Sequence, residues 1–449
     1  MKLFNRLIPI LLLLSVCLAA GGCTQGNRPE ETSAEESAFG VTEGNPTEAV
    51  TEAFLPALTV DASWRIVISA HADEVIRKTA DMVAATIREK VGLTLTVVTD
   101  TEPSQGGEIV LGATNRADTN GEMGWAAFLG ENAIHIDSGD SITLYYAAEA
   151  VLEAWLTPDF GLAEAEVATL PLHRINELNG LTTRRDHAIK ILSQNLRCAD
   201  DPNGNAVGDR MPRFRQLVME YQPDLIGTQE TTAGWNSRLK SLSNYLNRYT
   251  DLGEYGMVGC SREGREAKDG EWNTILYRKD RFELLDSDTT WLSDTPDEAS
   301  AVEGALCKRI CTWALLKDKL SGETILFANT HLDHSNDEVR SAQMDILMDY
   351  LSDRIGQYPF YVTGDFNCYV DSIPYNTATS KLADSHKTAW TDQSTVTRTY
   401  HGYQESGGGE IDFIFHNDKT TPVYYEIISK DYKGFVSDHY GVIAEFVND

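Results

Sequence analysis

The stretch Phe360-Tyr-Val-Thr-Gly-Asp-Phe-Asn367 joins an apolar run directly to two polar side chains. Its first residues are typical of a buried strand, because aromatic and β-branched side chains fit a pleated, packed surface. Asp365 and Asn367 follow where that strand would stop. Gly-Asp-Phe-Asn is also good turn chemistry, so the stretch predicts a capped turn or a functional carboxylate and amide. Its place among similar stretches favours a functional carboxylate and amide over a capped turn.

Five further apolar stretches of the chain carry polar side chains at or near their ends. They are 189–194 before Asn195, 224–229 before Glu230, 325–330 before His331, 410–415 around Asp412, and 440–443 after Asp438 and His439. Packed strands that end on one edge would gather these side chains into one pocket. Taken alone, an asparagine such as Asn195 is more often a turn residue than a ligand. Its place in this group favours a ligand.

The region from 188 to the end predicts an α/β fold. Strands and helices alternate, with strands also predicted at 188–194, 274–277, 311–316, 324–330, 360–364, 411–415 and 441–446, and helices at 211–221, 235–246 and 337–355. Turns rich in Gly, Asp and Asn separate them.

The grouped side chains suit the hydrolysis of phosphoesters. Carboxylate and amide oxygens favour Mg²⁺, with Mn²⁺ or Ca²⁺ as alternatives, over zinc. A cation on a phosphate oxygen draws charge from phosphorus and lowers the pKa of a bound water. Imidazole transfers protons near neutral pH. The sequence therefore predicts a metal-dependent hydrolase that acts on phosphoester bonds.

Length and charge set limits on the fold and the partners. The chain has 449 residues, 42% of them hydrophobic, which excludes disorder of the whole chain and predicts two domains plus tails. Its 68 acidic and 38 basic residues give a formal net charge of −30. Binding to nucleic acid by a basic surface needs clustered Lys and Arg. Nucleic acid is therefore an unfavoured substrate, although the acidity does not exclude a nuclease that holds metal ions.

Residues 1–22 are typical of an export signal. Lys2 and Arg6 precede the apolar run 7–14, which is too short to span a bilayer, and small residues follow at 19–22. Because Cys23 comes next, the segment resembles a lipoprotein-type signal peptide, although Ala20 stands where such signals usually carry an aliphatic residue. The resemblance implies lipidation of Cys23 and an outward-facing membrane anchor, with simple secretion as the alternative. Residues 23–57, rich in acidic, Ser and Thr residues, predict a tether.

Residues 58–180 predict a small α/β domain. Strands are expected at 65–70, 93–98, 108–113 and 133–137, and helices at 72–91 and 145–155. The stretches Glu108-Ile-Val-Leu-Gly-Ala-Thr114 and Ser141-Ile-Thr-Leu-Tyr145 resemble the non-catalytic domain of hexosaminidase-type glycosidases. That resemblance implies an accessory domain with glycan contact as its candidate role. His71 and His135 have no ligand cluster nearby in sequence, so we expect them to be structural.

Residues 188–449 closely resemble the endonuclease/exonuclease/phosphatase family, which includes DNase I. Six blocks carry the resemblance in order: Ser193-Gln-Asn-Leu196, Ile226-Gly-Thr-Gln-Glu230, Asn329-Thr-His-Leu-Asp-His334, Gly364-Asp-Phe-Asn367, Ile411-Asp-Phe-Ile414 and Ser437-Asp-His-Tyr440. The resemblance implies a four-layer α/β sandwich of two mainly antiparallel or mixed sheets flanked by helices. It also implies a catalytic domain.

The resemblance implies a role for each matched position. Glu230 would be the principal metal ligand, with Asn195 and Asp438 lining the same ion site. Asp365 would activate the attacking water. Asn367 would hold the phosphate, and His439 would exchange a proton while Asp412 orients its ring.

Six further positions lie outside this core set. The resemblance implies that His331 is the acid for the leaving oxygen and that Glu271 is its carboxylate partner, with Arg278 following at the family's interval. Arg309 could contact phosphate, since a guanidinium grips two oxygens, or could be an exposed charge at a strand edge. Asp333 and His334 are expected to be structural or at the rim.

The cysteines do not indicate a zinc site. Besides Cys17 and Cys23 in the export segment, the five others lack CxxC spacing: Cys198, Cys260, Cys307, Cys311 and Cys368. Cys307 and Cys311 could form a disulfide, and buried free thiols are the equal alternative.

We therefore interpret the chain as an exported, metal-dependent phosphoesterase. A small or soluble phosphoester, such as a phosphorylated sugar or a phosphodiester headgroup, is the preferred substrate. The alternatives are a membrane-tethered sphingomyelinase or phospholipase C, an extracellular nuclease and, from another class, a non-catalytic glycan-binding lipoprotein.

Overall fold

The computed structural model describes residues 57–116, 124–130, 132–158, 161–162, 166–179, 181–248 and 253–448. The predicted signal segment, Cys23 and nearly all of the predicted tether lie outside them. Among the described residues no helix is long and apolar enough to cross a membrane.

The first part of the described chain forms a small α/β layer. Its strands are β1 (Ala57–Val60), β2 (Arg65–Ile68), β3 (Thr96–Thr99), β4 (Glu108–Leu111), β5 (Trp125–Gly130), β6 (Ala133–Ser138) and β7 (Ala168–Pro171), and its helices are α1 (Glu74–Val91), α2 (Ser141–Trp155) and α3 (Ile175–Leu178). Four strands pair in parallel in the order β3-β2-β4-β6, with β5 antiparallel at the edge, and β1 pairs with β7. Asp73 caps α1, and Gly92 ends it with a φ of 84°, which glycine adopts without strain.

The rest of the chain forms two larger sheets and their helices. The strands are β8 (Ile189–Asn195), β9 (Leu225–Thr231), β10 (Tyr255–Val258), β11 (Trp272–Arg278), β12 (Phe282–Trp291), β13 (Ile310–Asp318), β14 (Thr324–His331), β15 (Phe360–Asp365), β16 (Ala383–Asp384), β17 (Thr391–Asp392), β18 (Asp412–His416), β19 (Thr420–Ile428) and β20 (Gly441–Asn448). The helices are α4 (Val207–Tyr221), α5 (Ala233–Leu239), α6 (Leu242–Leu246), α7 (Asp337–Ile355), α8 (Ile373–Thr379) and α9 (Ser385–Thr388), and short 3₁₀ turns occupy Leu172–Arg174 and Arg184–His187.

The two larger sheets pack face to face and give the four-layer sandwich that was predicted. One sheet has the order β10-β11-β9-β8-β20-β19-β17 and the other β12-β13-β14-β15-β18-β16. Between them β11 contacts β13, β9 contacts β14, β8 contacts β15, and β20 contacts β18. One apolar core lies between the sheets, a second under α4 to α6, and a third under α7 and α8. The mixed α/β architecture is confirmed.

A buried asparagine joins the sheets below the edge where the functional strands end. Asn329 on β14 donates from Nδ2 to the backbone oxygens of Thr228 (2.9 Å) and Thr274 (3.2 Å). Its Oδ1 accepts from Gln229 Nε2 (2.7 Å) and Thr363 Oγ1 (3.2 Å). All four hydrogen-bonding positions of the amide are therefore satisfied.

The small α/β layer contacts the sandwich through an apolar patch. Val75 of α1 and Ile142 and Tyr146 of α2 pack with Val423 and Val447 of β19 and β20. Trp390 stacks on Tyr146, and the Lys78 ammonium lies 4.0 Å from the centre of the Trp390 ring system. The domain limits at 58–180 and 188–449 stay predictions.

Some local predictions differ from the structure. The single helix predicted over 235–246 is two helices, α5 and α6, interrupted at Ser241, whose hydroxyl donates to the Arg238 backbone oxygen. Serine side chains compete with helical hydrogen bonds in this way. Several strands, among them β10, β12 and β19, were not predicted. By contrast, α7 spans the predicted residues and begins at the Asn336 cap.

No disulfide joins the five cysteines that the structure describes. Cys307 lies in the connection before β13, whereas Cys311 is buried within that strand, and both are free. Of the two alternatives left open by the sequence, the structure therefore has the free thiols.

We expect Asn329→Ala to lower the free energy of unfolding by about 2–4 kcal/mol, because it leaves several buried polar groups without partners. Urea unfolding followed by tryptophan fluorescence measures the loss. Asn376→Ala is the control: this exposed asparagine of α8 makes one side-chain hydrogen bond, to the Asp371 backbone oxygen. Equal losses in the two variants would contradict the bridging role of Asn329.

Candidate active site

Glu230 lies one residue before the end of β9, with a backbone φ of 57°. A residue other than glycine adopts this left-handed conformation at a cost of about 1–3 kcal/mol, and such strain clusters at functional sites. The carboxylate accepts hydrogen bonds from Asn195 Nδ2 (3.1 Å) and the Cys198 backbone N–H (2.9 Å). Burial raises the pKa of Glu230, but the hydrogen bonds outweigh it and hold the pKa below its usual value. The group is therefore charged.

Asn195, at the end of β8, links Glu230 to Asp365. Its Nδ2 donates to both carboxylates, at 3.1 Å and 2.9 Å, while its Oδ1 accepts from the Arg197 backbone N–H at 2.9 Å. As a metal ligand, Asn195 would need its Oδ1 atom, which here accepts this hydrogen bond from Arg197. In this arrangement the amide positions the two acids, and ligation by Asn195 stays a prediction.

Asp365 is the last residue of β15 and is almost fully buried. Its Oδ1 accepts from the Asn367 backbone N–H at 3.0 Å, and its Oδ2 lies 3.4 Å from His331 Nε2 and 3.8 Å from His439 Nε2. Burial, together with the negative charge of Asp412, raises the pKa of Asp365 to about 7. A carboxyl group with such a pKa can exchange protons near neutral pH.

His439 and Asp412 form a buried ion pair. His439 Nδ1 donates to Asp412 Oδ2 at 2.8 Å, and the Asp412 backbone N–H donates to Thr399 Oγ1 at 3.0 Å. Burial alone would lower the pKa of His439, but the charge of Asp412 and its hydrogen bond raise it to about 10. The imidazolium therefore presents Nε2 as a charged donor beside Asp365.

His331, the last residue of β14, has a different environment. Asn367 donates from Nδ2 to His331 Nε2 (3.0 Å) and to the Leu332 backbone oxygen (3.0 Å). The imidazole proton is therefore on Nδ1, which has no hydrogen-bond partner among the described residues. Burial, with the positive charges of Arg309 and His439, holds the pKa of His331 well below its usual value. The ring is therefore neutral here, and the acid role of His331 stays a prediction.

Asp438 and Arg197 complete the acidic end of the site. Burial raises the pKa of Asp438. Arg197 lies between the acids, with Nε 3.7 Å from Asp438 Oδ2 and Nη1 3.9 Å from Glu230 Oε2. Sequence reasoning missed Arg197, because it lies in a loop where no periodicity marks it.

The positions with weaker sequence support divide into two groups. Glu271 and Arg309 lie at the site, whereas Arg278 pairs with Asp224 and Asp280 away from it. Glu271 does not pair with His331: its carboxylate accepts from Arg262 Nη1 at 2.9 Å. Arg309 is buried, which excludes the alternative of an exposed charge.

One cavity of about 440 Å³ collects these side chains. The predicted residues that line it are Glu230, Asp365, Asn367, His439, His331, Asp438, Glu271 and Arg309, and the unpredicted ones include Arg197, Arg262 and Tyr400. Asn195 and Asp412 are not among the lining residues and hold them in place. The structure therefore brings together every predicted catalytic, metal and substrate residue.

The donor set fits a divalent cation. Glu230, His331 and Asp365 offer ligand atoms that lie within 4.8 Å of one another. Four acids of the site are at least largely buried, namely Glu230, Asp365, Asp412 and Asp438. Among the described residues, the cations within 4 Å of these carboxylates are His439 and Arg197, and Asp412 Oδ1 has no hydrogen-bond partner. This excess of negative charge is what a cation would offset.

The sequence model of the endonuclease/exonuclease/phosphatase family matches residues 192–439, more than half of the chain. The chain belongs to this family. Its members hydrolyse phosphoester bonds and typically depend on divalent metals.

Solved structures from Bacteroides species are similar to the chain. A Bacteroides vulgatus member is 30% identical with a TM-score of 0.54, and covers 58% of this chain and 99% of its own. A Bacteroides thetaiotaomicron protein described as a mannosyl-6-phosphatase is 27% identical with a TM-score of 0.51, and covers 58% and 99%. The yeast Ccr4 exoribonuclease subunit is 21% identical over 206 residues, which are 40% of this chain and about a quarter of Ccr4.

We expect Asp365→Asn to stabilise this family member in the absence of metal at pH 8. The pKa of Asp365 is about 7 in the folded chain and about 4 in an unfolded one, so its ionisation destabilises the fold above pH 4. The destabilisation grows between about pH 4 and pH 7 and is then constant. Urea unfolding with a chelator should show a gain of about 1–4 kcal/mol at pH 8 and almost none at pH 4. The exposed Asp349, changed to Asn, is the control, and a gain independent of pH would contradict the assignment.

Proposed function

We propose that the protein is a metal-dependent phosphoesterase that hydrolyses a small phosphoester, with phosphorylated sugars as the preferred class. The observation that carries this proposal is the chain of contacts from Glu230 through Asn195 to Asp365, beside the charged His439–Asp412 pair. Buried charges gathered at such density reduce stability and mark functional sites. These buried charges also disfavour the alternative of a non-catalytic glycan-binding lipoprotein.

Glu230 would hold the cation, with Asp365 and Asp438 lining the same site. Mg²⁺ is the preferred ion, and Mn²⁺ and Ca²⁺ suit the same oxygen donors. When bound, the ion would withdraw charge from the phosphate and lower the pKa of a bound water.

The remaining roles follow from contacts and charge. Asp365, held by Asn195 and the Asn367 backbone, would accept the proton of the attacking water. His439, fixed by Asp412, would donate from Nε2 to a phosphate oxygen and supply a proton to the leaving oxygen. The Asn367 amide would contact phosphate by exchanging its hydrogen bond to His331, and would stabilise the charge that develops on the phosphate oxygens.

Cavity size and charge support a small substrate. A volume of about 440 Å³ is typical of small-molecule sites. The net charge of −30 disfavours long nucleic-acid strands. The similarity to a protein described as a mannosyl-6-phosphatase favours a sugar phosphate among small phosphoesters.

A substrate panel with Mg²⁺ tests the proposal. It compares hexose 6-phosphates, inositol phosphates, sphingomyelin vesicles and DNA. Phosphate release reports hydrolysis of the first two, headgroup release reports cleavage of sphingomyelin, and gel electrophoresis reports cleavage of DNA. We expect chelator-sensitive phosphate release from the sugar phosphates, lowered about 10²–10⁴-fold by His439→Gln and unchanged by His71→Gln, which alters an exposed histidine. Faster cleavage of DNA or sphingomyelin would instead favour the nuclease or the phospholipase. No hydrolysis at all would overturn the proposal.

Glu230→Gln tests the metal site directly. Calorimetric titration with Mn²⁺ should show affinity reduced by at least about 100-fold, more than the loss expected for a residue that only supports a ligand. Glu220→Gln, at an exposed ion pair with Lys430, is the control. Unchanged Mn²⁺ affinity in Glu230→Gln would exclude this residue as the principal ligand.

We also propose that the chain is exported and anchored by a lipid on Cys23, so that the enzyme faces outward from the cell membrane. The basic, apolar and small residues of 1–22 support this proposal. Cys23→Ser should move the protein from the membrane fraction to the soluble exported fraction. Membrane association that survives the change would argue against the anchor.

A further inference from the structure

Two arginines and a histidine lie at one end of the active-site cavity. Arg262 lies in the connection between β10 and β11, Arg309 directly precedes β13, and His334 follows β14. Because β11 contacts β13 across the sandwich, these residues come from both sheets to the same end. All three line the cavity. None of their roles follows from the hydrolytic chemistry described above.

The two guanidinium groups have few protein acceptors. Among the described residues Arg309 makes one side-chain hydrogen bond, from Nη2 to His334 Nδ1 at 3.2 Å. Arg262 likewise makes one, to Glu271. Among the described residues the buried Nε atoms of both arginines have no hydrogen-bond partner: Glu263 Oε1 lies 3.6 Å from Arg262 Nε, and Asp333 Oδ2 lies 3.7 Å from Arg309 Nε. A buried donor without a partner is costly, because it has lost its hydrogen bonds to water, so these groups indicate a missing acceptor.

The available carboxylates are already engaged. Asp333 accepts from the backbone N–H groups of Cys307 (3.0 Å) and Ser335 (2.9 Å), and Glu263 pairs with Lys308 at 2.7 Å. Both arginines line the same cavity as Asp365 and His439. An anion bound at Asp365 and His439 would therefore extend toward both arginines.

Phosphate esters differ in what they present to such donors. A monoester carries three non-bridging oxygens and a charge of about −1.5 to −2 at pH 7. A diester has two such oxygens and one charge, and a second ester group takes the place of the third oxygen. That second ester group would leave the guanidinium N–H groups without an acceptor oxygen.

We infer that Arg262 and Arg309 form a clamp for a terminal phosphate and make the enzyme select phosphomonoesters over phosphodiesters. This inference rests on the proposed function and narrows it. A guanidinium binds two phosphate oxygens at once, and these charge-assisted hydrogen bonds are stronger than those between neutral groups.

The test compares two substrates with the same leaving group, 4-nitrophenyl phosphate and bis(4-nitrophenyl) phosphate, in the presence of Mg²⁺. We expect the wild-type enzyme to prefer the monoester. Arg262→Met and Arg309→Met should each lower kcat/KM for the monoester about 10–100-fold and change that for the diester by less than about threefold. Arg262→Lys keeps the positive charge but loses the planar guanidinium that binds two oxygens at once. Its kcat/KM for the monoester should therefore lie between those of the wild type and Arg262→Met.

Arg265→Met is the matched control. Arg265 lies on the same connection but is ion-paired with Asp288 outside the cavity. This variant should retain both activities, and thermal unfolding should confirm that all variants are folded. A second readout needs neither metal nor turnover: titration of the chelator-treated protein with inorganic phosphate, where both clamp variants should bind more weakly than the wild type.

The outcomes separate the two proposals. Hydrolysis of neither ester by the wild type would overturn the proposed function, and the phosphate titration would then decide the clamp alone. Equal use of the two esters, or an equal loss on both in Arg262→Met and Arg309→Met, would overturn the clamp and leave the phosphoesterase intact. Unchanged phosphate binding in both Arg262→Met and Arg309→Met would also overturn the clamp.

Discussion

The hydrogen bonds of Asn329 hold the two sheets in register, and the active site depends on that register. The amide is fully buried and satisfied on β14, and it reaches backbone oxygens of β9 and β11 and side chains of β9 and β15. Gly227 allows the approach, because a Cβ there would lie 1.9 Å from Thr363 Oγ1. Each partner is close in sequence to a functional residue: Gln229 precedes Glu230, Thr363 is two before Asp365, and Asn329 is two before His331.

Fixed register lets the strand ends support strained and charged side chains. Glu230, Asn367 and Arg197 all have positive φ, and each departs from regular strand geometry where a strand stops. Without this support, the loops would relax to backbone conformations of lower free energy. Here the backbone N–H groups of Cys198, Arg197 and Asn367 are engaged by Glu230, Asn195 and Asp365, so the functional groups stabilise the strained turns that present them.

Sequence patterns predicted the buried strands well and the loops poorly. β8, β9, β14 and β15 are apolar runs with polar ends, so both the strands and Asn195, Glu230, His331 and Asp365 could be found. β12 was missed because six of the ten residues of Phe282–Trp291 are polar or charged, and they do not alternate regularly with its apolar residues. Arg262, Arg197 and Tyr400 have no periodic pattern, and their place in the cavity depends on sheet packing. Glu271 was found by resemblance, but its actual partner, Arg262, depends on the path of the connection before β11.

Strand order also arranges charge along the cavity in a way that no local pattern contains. The acids Glu230, Asp365, Asp412 and Asp438, with His439, come from β9, β15, β18 and the residues before β20, whereas Arg262 and Arg309 come from the ends next to β11 and β13. The order of pairing therefore separates a carboxylate end, suited to a cation and water, from a guanidinium end, suited to phosphate oxygens. His331, on β14 between them, is neutral because burial and the cations around it disfavour its protonated form. Topology thus sets the electrostatics of the site, and an electrostatic gradient of this kind discriminates substrates by the charge of their phosphate more than by the shape of their alcohol.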